Sequence, residues 1–345
     1  MVAIVVRSRT FRDDGIGVTD TSTFGALDRP TLGLSVEAHM VRRMDAATRS
    51  ILARKLGSAL EPLTGQVYFS PECHRNYAAL GFAPSKAKAT GVELPDGPAY
   101  FTSRGSVMGQ VPGEVVAAAF GVFNPEAVVP SVDFGWSITD AETICHARDD
   151  GAIAQLVRLI GEAPQGVERA NELLDKAVTP LRPEGRPLFS GLRSLEIPEV
   201  PVGRMWRLGD MLREFRGDSH INAWTAKGLD ATEIGLLTEL YWGLPMRTYS
   251  RTRAWTDAQF DAVAERLQSE GLIDGTSFTD AGRALRESIE VETDTQMAGV
   301  LDRLGDDIDE LLAILVPWGA DVRAGFGYLS SGPHDLAKKA APAAL

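Results

Sequence analysis

The stretch Trp255–Glu287, WTDAQFDAVAERLQSEGLIDGTSFTDAGRALRE, decides the fold. It predicts a helix, a short turn, and a second helix that opens at Thr279-Asp280-Ala281-Gly282. Asp274-Gly275 is a favourable pair for a tight turn, so a minimal hairpin is expected between the two helices. The order helix, hairpin, helix therefore determines the architecture expected for the C-terminal half.

That order is typical of a winged helix-turn-helix, yet the helix expected to enter DNA is acidic. Against the single base Arg266 it carries four carboxylates: Asp257, Asp261, Glu265 and Glu270. Side chains that read bases in the major groove are cationic or amide groups near the helix start, where this helix has Gln259. The wing segment, residues 274–278, contains no Lys or Arg. We therefore do not expect DNA as a partner of this surface.

Three arginines precede the acidic helix and leave alternatives open: Arg247, Arg251 and Arg253. They are placed to contact phosphate, to cover the N-terminal region of the helix, or to bind an anionic ligand. The sequence does not distinguish these roles.

Composition restricts the class of protein. The chain has 345 residues, 44% hydrophobic and 24% charged, which is ordinary for two globular domains. Its net charge of -12 argues against binding that depends mainly on phosphate contacts. Two cysteines, Cys73 and Cys145, are too few for a disulfide framework or a thiolate zinc site. No apolar run reaches the roughly 18 residues of a membrane span, so a cytoplasmic protein without a membrane partner is expected.

Helical periodicity predicts a mainly α fold, with a helical N-terminal domain and a C-terminal winged helix-turn-helix domain. We divide the chain into an N-terminal extension (1–34), a helical domain (35–165), a Pro-rich connection (166–202), a winged-helix domain (203–325) and a tail (326–345). The first long helix is predicted to begin at Ser35. Pro71-Glu72-Cys73-His74 is expected to open a short helix, Lys86 to Pro98 to form a polar loop, and Asp140 to cap a longer helix.

The two halves resemble each other. Cys73-His74 with Tyr77 has a counterpart in Ser219-His220 with Trp224, and each passage is followed by glycine, an aromatic–arginine stretch and a helix. This similarity is consistent with a degenerate duplication. Short helices that end in glycine also resemble one another by chance, so both interpretations stay open.

The strongest local candidate for chemistry is Arg213-Glu214-Phe215-Arg216-Gly217-Asp218-Ser219-His220. Gly217 is expected to end one helix and Asp218 or Ser219 to cap the next, which places His220 in a first helical turn. The helix dipole keeps a histidine there neutral, as a general base requires. Asp218 would orient it. The alternative is that Asp218 is only a cap and that His220 only bonds the preceding helix end.

His74 is the candidate for a second acid–base group, and Arg104 for an electrostatic stabiliser. If the halves pack about a pseudo-twofold axis, both histidines face one cavity. The residues predicted to bind the ligand are Trp224, Tyr77, Tyr249, Trp255 and Arg213. The five histidines show no HxxxH or HExxH spacing, and no nucleotide motif is present, so neither a metal nor a cofactor is expected. The alternative is a zinc or iron site that His39, His74 and His220 would form across helices.

These passages support a family comparison. RLQSEGLID followed by FTDAGRALRE resembles the MarR-type winged helix. YFSPECHRNYAALGF, YFTSRGSVMGQVPGEVVAAAF, LREFRGDSH and RAWTDAQFDAVAERL resemble the actinobacterial SalK-like helix-turn-helix family, over most of residues 39–290. The resemblance implies a two-part helical fold and a bacterial cytosolic location, and it implies no particular reaction.

The favoured hypothesis is a small-molecule-binding protein on a winged-helix scaffold that does not bind DNA. Its chemistry would be cofactor-independent acid–base catalysis of the isomerase, cyclase or dehydratase type, in bacterial secondary metabolism such as antibiotic biosynthesis. The competing hypothesis is a ligand-responsive MarR-like transcriptional regulator that binds DNA. A third is a ligand carrier without turnover. A homodimer is left open.

Overall fold

Helices account for most of the structure, a computed structural model that describes residues 45–85, 88–89 and 91–330. The first half contains α1 (Ala46–Thr64), α2 (Pro71–Ala79), α3 (Gly97–Gly105), α4 (Gly113–Phe120), α5 (Pro125–Ile138), α6 (Ala141–Ile160) and α7 (Val167–Val178). The second half contains α8 (Pro187–Ser194), α9 (Pro201–Thr225), α10 (Ala231–Tyr241), α11 (Asp257–Ser269), α12 (Asp280–Gln296), α13 (Ala298–Leu304) and α14 (Asp307–Ala324). The predicted mainly α fold is confirmed.

Two antiparallel hairpins complete the described chain. β1 (Lys88–Ala89) pairs with β2 (Val92–Glu93), and β3 (Ile273–Asp274) pairs with β4 (Ser277–Phe278). The second hairpin lies between α11 and α12, in the order helix, hairpin, helix predicted from the sequence. Ahead of α11, the short 3₁₀ segment Ser250–Arg253 connects it to α10.

Polar side chains cap the starts of several helices. Asp140 accepts a hydrogen bond from the backbone amide of Thr143, and Thr279 accepts one from Gly282. Both caps were expected, because these side chains satisfy amides that have no partner within the helix. The predicted first helix differs: Asp45 caps α1, which begins at Ala46. The proposed start at Ser35 lies outside the described residues.

The predicted helix break at Gly217 is wrong. α9 continues for 25 residues through this position, and Gly217 is not among the residues with a positive φ. Glycine inside a helix costs about 1 kcal/mol relative to alanine. Contacts from neighbouring helices offset that cost, because Arg216 contacts two carboxylates of α12 and Asp218 accepts a hydrogen bond from α8.

One large hydrophobic core holds most of the helices together. It extends from Ala53 on α1 to Tyr328 near the end of the described chain, and Trp206 of α9 is completely buried in it. Helices α7 and α8, within the predicted connection 166–202, both pack on α9. Tyr328, assigned to the tail by sequence, is buried. The predicted domain boundaries stay a prediction.

The winged-helix part has a smaller core of its own, formed by Leu236, Leu237, Phe260, Val263, Leu267 and Ile273. Its members come from α10, α11 and the second hairpin. Within the described part of the chain, no helix is long and apolar enough to cross a membrane.

Gly151 permits the close contact between α2 and α6. A Cβ added there would lie 2.6 Å from the backbone nitrogen and Cα of Cys73. Because two backbones must then separate, we expect Gly151→Ala to lower the free energy of unfolding by about 1–3 kcal/mol. The matched control is Gly57→Ala in α1, where the added Cβ meets the flexible side chain of Arg216 at 3.4 Å. Urea unfolding followed by circular dichroism measures both, and equal stability of the two variants would contradict the packing argument.

Candidate functional site

His220 does not lie at a helix start. It is in the last third of α9, with Nδ1 3.2 Å from the hydroxyl of Thr293 and 4.0 Å from a carboxylate oxygen of Glu290. The positive end of a helix dipole therefore does not act on His220, contrary to the prediction. Asp218 does not orient it either, since residues two apart on a helix point about 200° apart and Asp218 bonds α8 instead.

Asp218 caps another helix. Its Oδ2 accepts a hydrogen bond of 3.0 Å from the backbone amide of Phe189, the third residue of α8. The residue at the N-cap of α8, Arg186, makes no capping bond with its own side chain. Burial raises the pKa of Asp218 to about 7, with the amide of Phe189 acting in the opposite direction. The predicted orienting group is thus a buried cap supplied from a neighbouring helix.

The predicted groups Arg104 and Arg213 meet on the carboxylate of Glu214. Arg104 donates to both carboxylate oxygens, at 3.0 and 2.8 Å, and Arg213 donates to one of them at 2.8 Å. The hydroxyl of Tyr68 donates to the same carboxylate. Burial raises the pKa of Glu214, but the two guanidinium groups outweigh it and lower the pKa to about 2. Both arginines therefore bind an internal carboxylate.

The predicted ligand-binding aromatics surround a loop of the protein itself, residues 121–124 between α4 and α5. The Trp255 indole donates to a backbone carbonyl of this loop at 2.9 Å. A Cβ added to the loop's glycine would lie 3.2 Å from the Trp224 ring. The guanidinium of Arg253 lies between Tyr249 and the phenyl ring of the loop. Tyr77, the remaining predicted aromatic, is buried in the core from α2.

The loop 121–124 also binds the residues that directly precede α11. Asn124 donates from its side chain to the carbonyl of Ala254 at 3.1 Å, and its backbone amide donates to the carbonyl of Arg253 at 2.9 Å. The N-terminal end of the predicted recognition helix is thus held against the loop between α4 and α5.

Two of the three arginines before α11 face the acids of α11. Arg247 lies 2.6 Å from Asp261, and Arg251 lies 2.8 Å from Asp257. Arg266, the base within the helix, lies 2.6 Å from Glu233 of α10. Of the roles left open by the sequence, these distances favour covering the helix.

A cleft that the sequence analysis missed lies beside His74. We call it the hairpin cleft. It has a volume of about 450 Å³, and the residues that line it are Phe69, Pro71, Glu72, Arg75, Lys88, Gly91–Glu93, Arg158, Gly325 and Phe326. His74 is the fourth residue of α2, so it occupies the first helical turn that had been expected for His220. Among the described residues, no group of three or more His, Cys, Asp or Glu side chains is arranged to hold a metal ion.

The two nitrogens of His74 have different surroundings. Nε2 lies 3.0 Å from the carbonyl oxygen of Tyr68, which only accepts hydrogen bonds, so Nε2 carries a proton. Nδ1 is buried, makes no hydrogen bond within the described structure, and lies 3.5 Å from a carboxylate oxygen of Glu93. Glu93 lines the cleft. The imidazole of His74, with its proton on Nε2, therefore lies next to the carboxylate of Glu93, which is accessible from the cleft.

His74 was found in the sequence by type and local position, and Glu93 was not. Residue 93 belongs to a segment predicted as loop, 19 positions from His74, and only the β1–β2 hairpin brings the two together. His74 and His220 contact different elements, so the structure does not show the shared cavity that the sequence suggested.

The raised pKa of Asp218 predicts a pH dependence. Between pH 4 and 7 the folded protein keeps a proton that the unfolded chain has released, so this residue makes the free energy of unfolding fall as pH rises. Asp218→Asn keeps an oxygen that accepts from Phe189 and carries no charge. We expect it to be more stable than the parent at pH 8, by a few kcal/mol, with a flatter profile from pH 5 to 8. Urea unfolding at several pH values measures this, with the exposed Asp133→Asn as control. Parallel profiles for the parent and Asp218→Asn would contradict the assignment.

Comparison with known proteins gives one family. No curated protein and no solved structure shows a significant match to the chain. The helix-turn-helix family matches residues 53–329, which include both the bundle around α9 and the winged-helix part. Because this match covers most of the chain, the protein belongs to the helix-turn-helix family.

Proposed function

We propose that the protein binds a small organic molecule in the hairpin cleft and transfers a proton at it through Glu93 and His74. One observation carries this proposal: the buried Nδ1 of His74, without a hydrogen bond in the described structure, lies 3.5 Å from a carboxylate that lines the cleft. Buried polar atoms usually have partners, so an exception beside a cleft suggests a functional role.

In this proposal the two groups have different tasks. The carbonyl of Tyr68 fixes the proton on Nε2 and leaves the lone pair on Nδ1 facing Glu93. Glu93 would contact the ligand and remove a proton, which His74 would receive and later return. Isomerisation, cyclisation and dehydration need this removal and return, without a cofactor.

This proposal keeps a cofactor-independent acid–base reaction but moves it from His220 to the hairpin cleft. Asp218 and Arg104 become structural groups in it, because their side chains bind α8 and Glu214. The winged helix serves as scaffold.

Proton transfer at the cleft is testable without the natural substrate. In D₂O, ¹H NMR follows loss of the α-proton signals of three probes: cyclohexanone, ethyl acetoacetate and phenylacetone. We expect the protein to accelerate exchange of at least one probe, and Glu93→Gln and His74→Gln each to reduce that rate by about 10²-fold or more. The control is Glu114→Gln, on an exposed position of α4. Full activity of Glu93→Gln would refute the proposal, and loss of activity in His220→Ala alone would restore the site predicted from sequence.

A DNA-binding regulator is the second candidate, and family membership favours it. We expect no mobility shift of a random 30-base-pair duplex at low salt, because acids face outward on α11 and pair with the arginines before it. The triple variant Asp257→Asn, Asp261→Asn, Glu265→Gln removes those charges and should produce a weak shift. A shift with the parent protein that disappears in Arg247→Gln, Arg251→Gln would establish the regulator instead.

A further inference from the structure

The hairpin cleft has a local excess of positive charge. Three cations line it, Arg75, Lys88 and Arg158, against two carboxylates, Glu72 and Glu93. The whole chain has a net charge of -12, so this excess runs against the overall composition. Such a local field attracts anions.

Two of these cations form only long ion pairs with the carboxylates of the cleft. Arg158 lies 2.7 Å from Glu72, whereas Arg75 lies 3.8 Å from the same residue and Lys88 lies 3.6 Å from Glu93. The last two distances exceed a hydrogen bond, and both side chains are about 70% exposed. Exposed ion pairs of this kind contribute little to the free energy of unfolding. An anionic group on a ligand can therefore replace these contacts at small cost.

The cleft also presents an aromatic surface. Phe326 is 63% exposed. Its φ of 58° lies in the left-handed region, which is unfavourable for a bulky residue. Gly91, with a φ of 89°, lies directly against it: an added Cβ would be 2.6 Å from the Phe326 ring. Strained residues that expose an aromatic ring beside a cleft are candidates for ligand contact. Phe69 and Val92 extend the apolar surface.

From this arrangement we infer that the ligand is an amphipathic organic anion. Its carboxylate binds Arg75 and Lys88, and its apolar or aromatic body packs against Phe326 and Phe69. A volume of about 450 Å³ accommodates a body of one or two rings. The carbon next to the carboxylate then lies near Glu93. This inference rests on the proposed function, for which it names the substrate class.

Three probes of equal shape and different charge test it: 2-naphthoate, 2-naphthylmethanol and 2-naphthylmethylammonium. Isothermal titration calorimetry gives each affinity, and saturation-transfer NMR reports which ring protons contact the protein. We expect 2-naphthoate to bind about tenfold or more tightly than the neutral probe and the cation to bind weakest. The double variant Arg75→Gln, Lys88→Gln should abolish the preference for the anion. Phe326→Ala should weaken 2-naphthoate and 2-naphthylmethanol by similar factors.

The control is Arg169→Gln, which removes an exposed cation on α7 and should leave the three affinities unchanged. Thermal denaturation confirms that each variant is folded. If the neutral or cationic probe binds as well as 2-naphthoate, and the double variant changes nothing, the inference about charge is wrong while proton transfer in the cleft stands. If none of the three probes binds, both the inference and the proposed binding site are wrong.

Discussion

The carboxylate of Glu214 is the contact on which the rest of the structure depends. It lies inside the bundle and receives donors from α3, from its own helix α9, and from Tyr68 in the 3₁₀ segment after α1. A buried charge of this kind is stable only when it is paired, and removing one partner costs about 3–5 kcal/mol. The same helix carries further buried pairs: Asp210 lies 2.5 Å from Arg148 of α6, and Arg207 also pairs with α6. α9 therefore binds its neighbouring helices through buried ion pairs as well as through apolar packing.

Ion pairs of α9 also connect the bundle to the winged-helix part. Arg216 of α9 contacts Glu290 and Asp294 of α12, and Arg54 of α1 binds the second of these carboxylates at 2.7 Å. At the other end, Asn124 fixes the entry to α11. The winged-helix part is therefore tied to the bundle at its last helix and at the start of its recognition helix, which suits a structural role.

Local rules predicted the fold well and missed half of the proposed site, for one physical reason. Helix caps such as Asp140 and Thr279 act within three residues, so sequence alone shows them. The prediction at Gly217 was wrong because the cost of glycine in a helix, about 1 kcal/mol, is offset by contacts that its neighbours Arg216 and Asp218 make with other helices. A local sequence pattern does not show such contacts. His74 was found because its helix start is local. Glu93 was missed because its approach to His74 depends on a hairpin 19 residues further along the chain.

The loop before α11 shows how a winged helix can hold its arginines against its own carboxylates. Buried Glu239 accepts the backbone amides of Arg247 and Ser250 at 2.6 and 2.7 Å, and so holds Arg247 at a left-handed φ of 67°. The Arg247 side chain then lies against Asp261. A carboxylate in the same fold is always present at high effective concentration, whereas a DNA phosphate must compete for the arginine from solution. This competition is the physical basis for proposing a scaffold role for the winged helix and for placing the chemistry in the hairpin cleft.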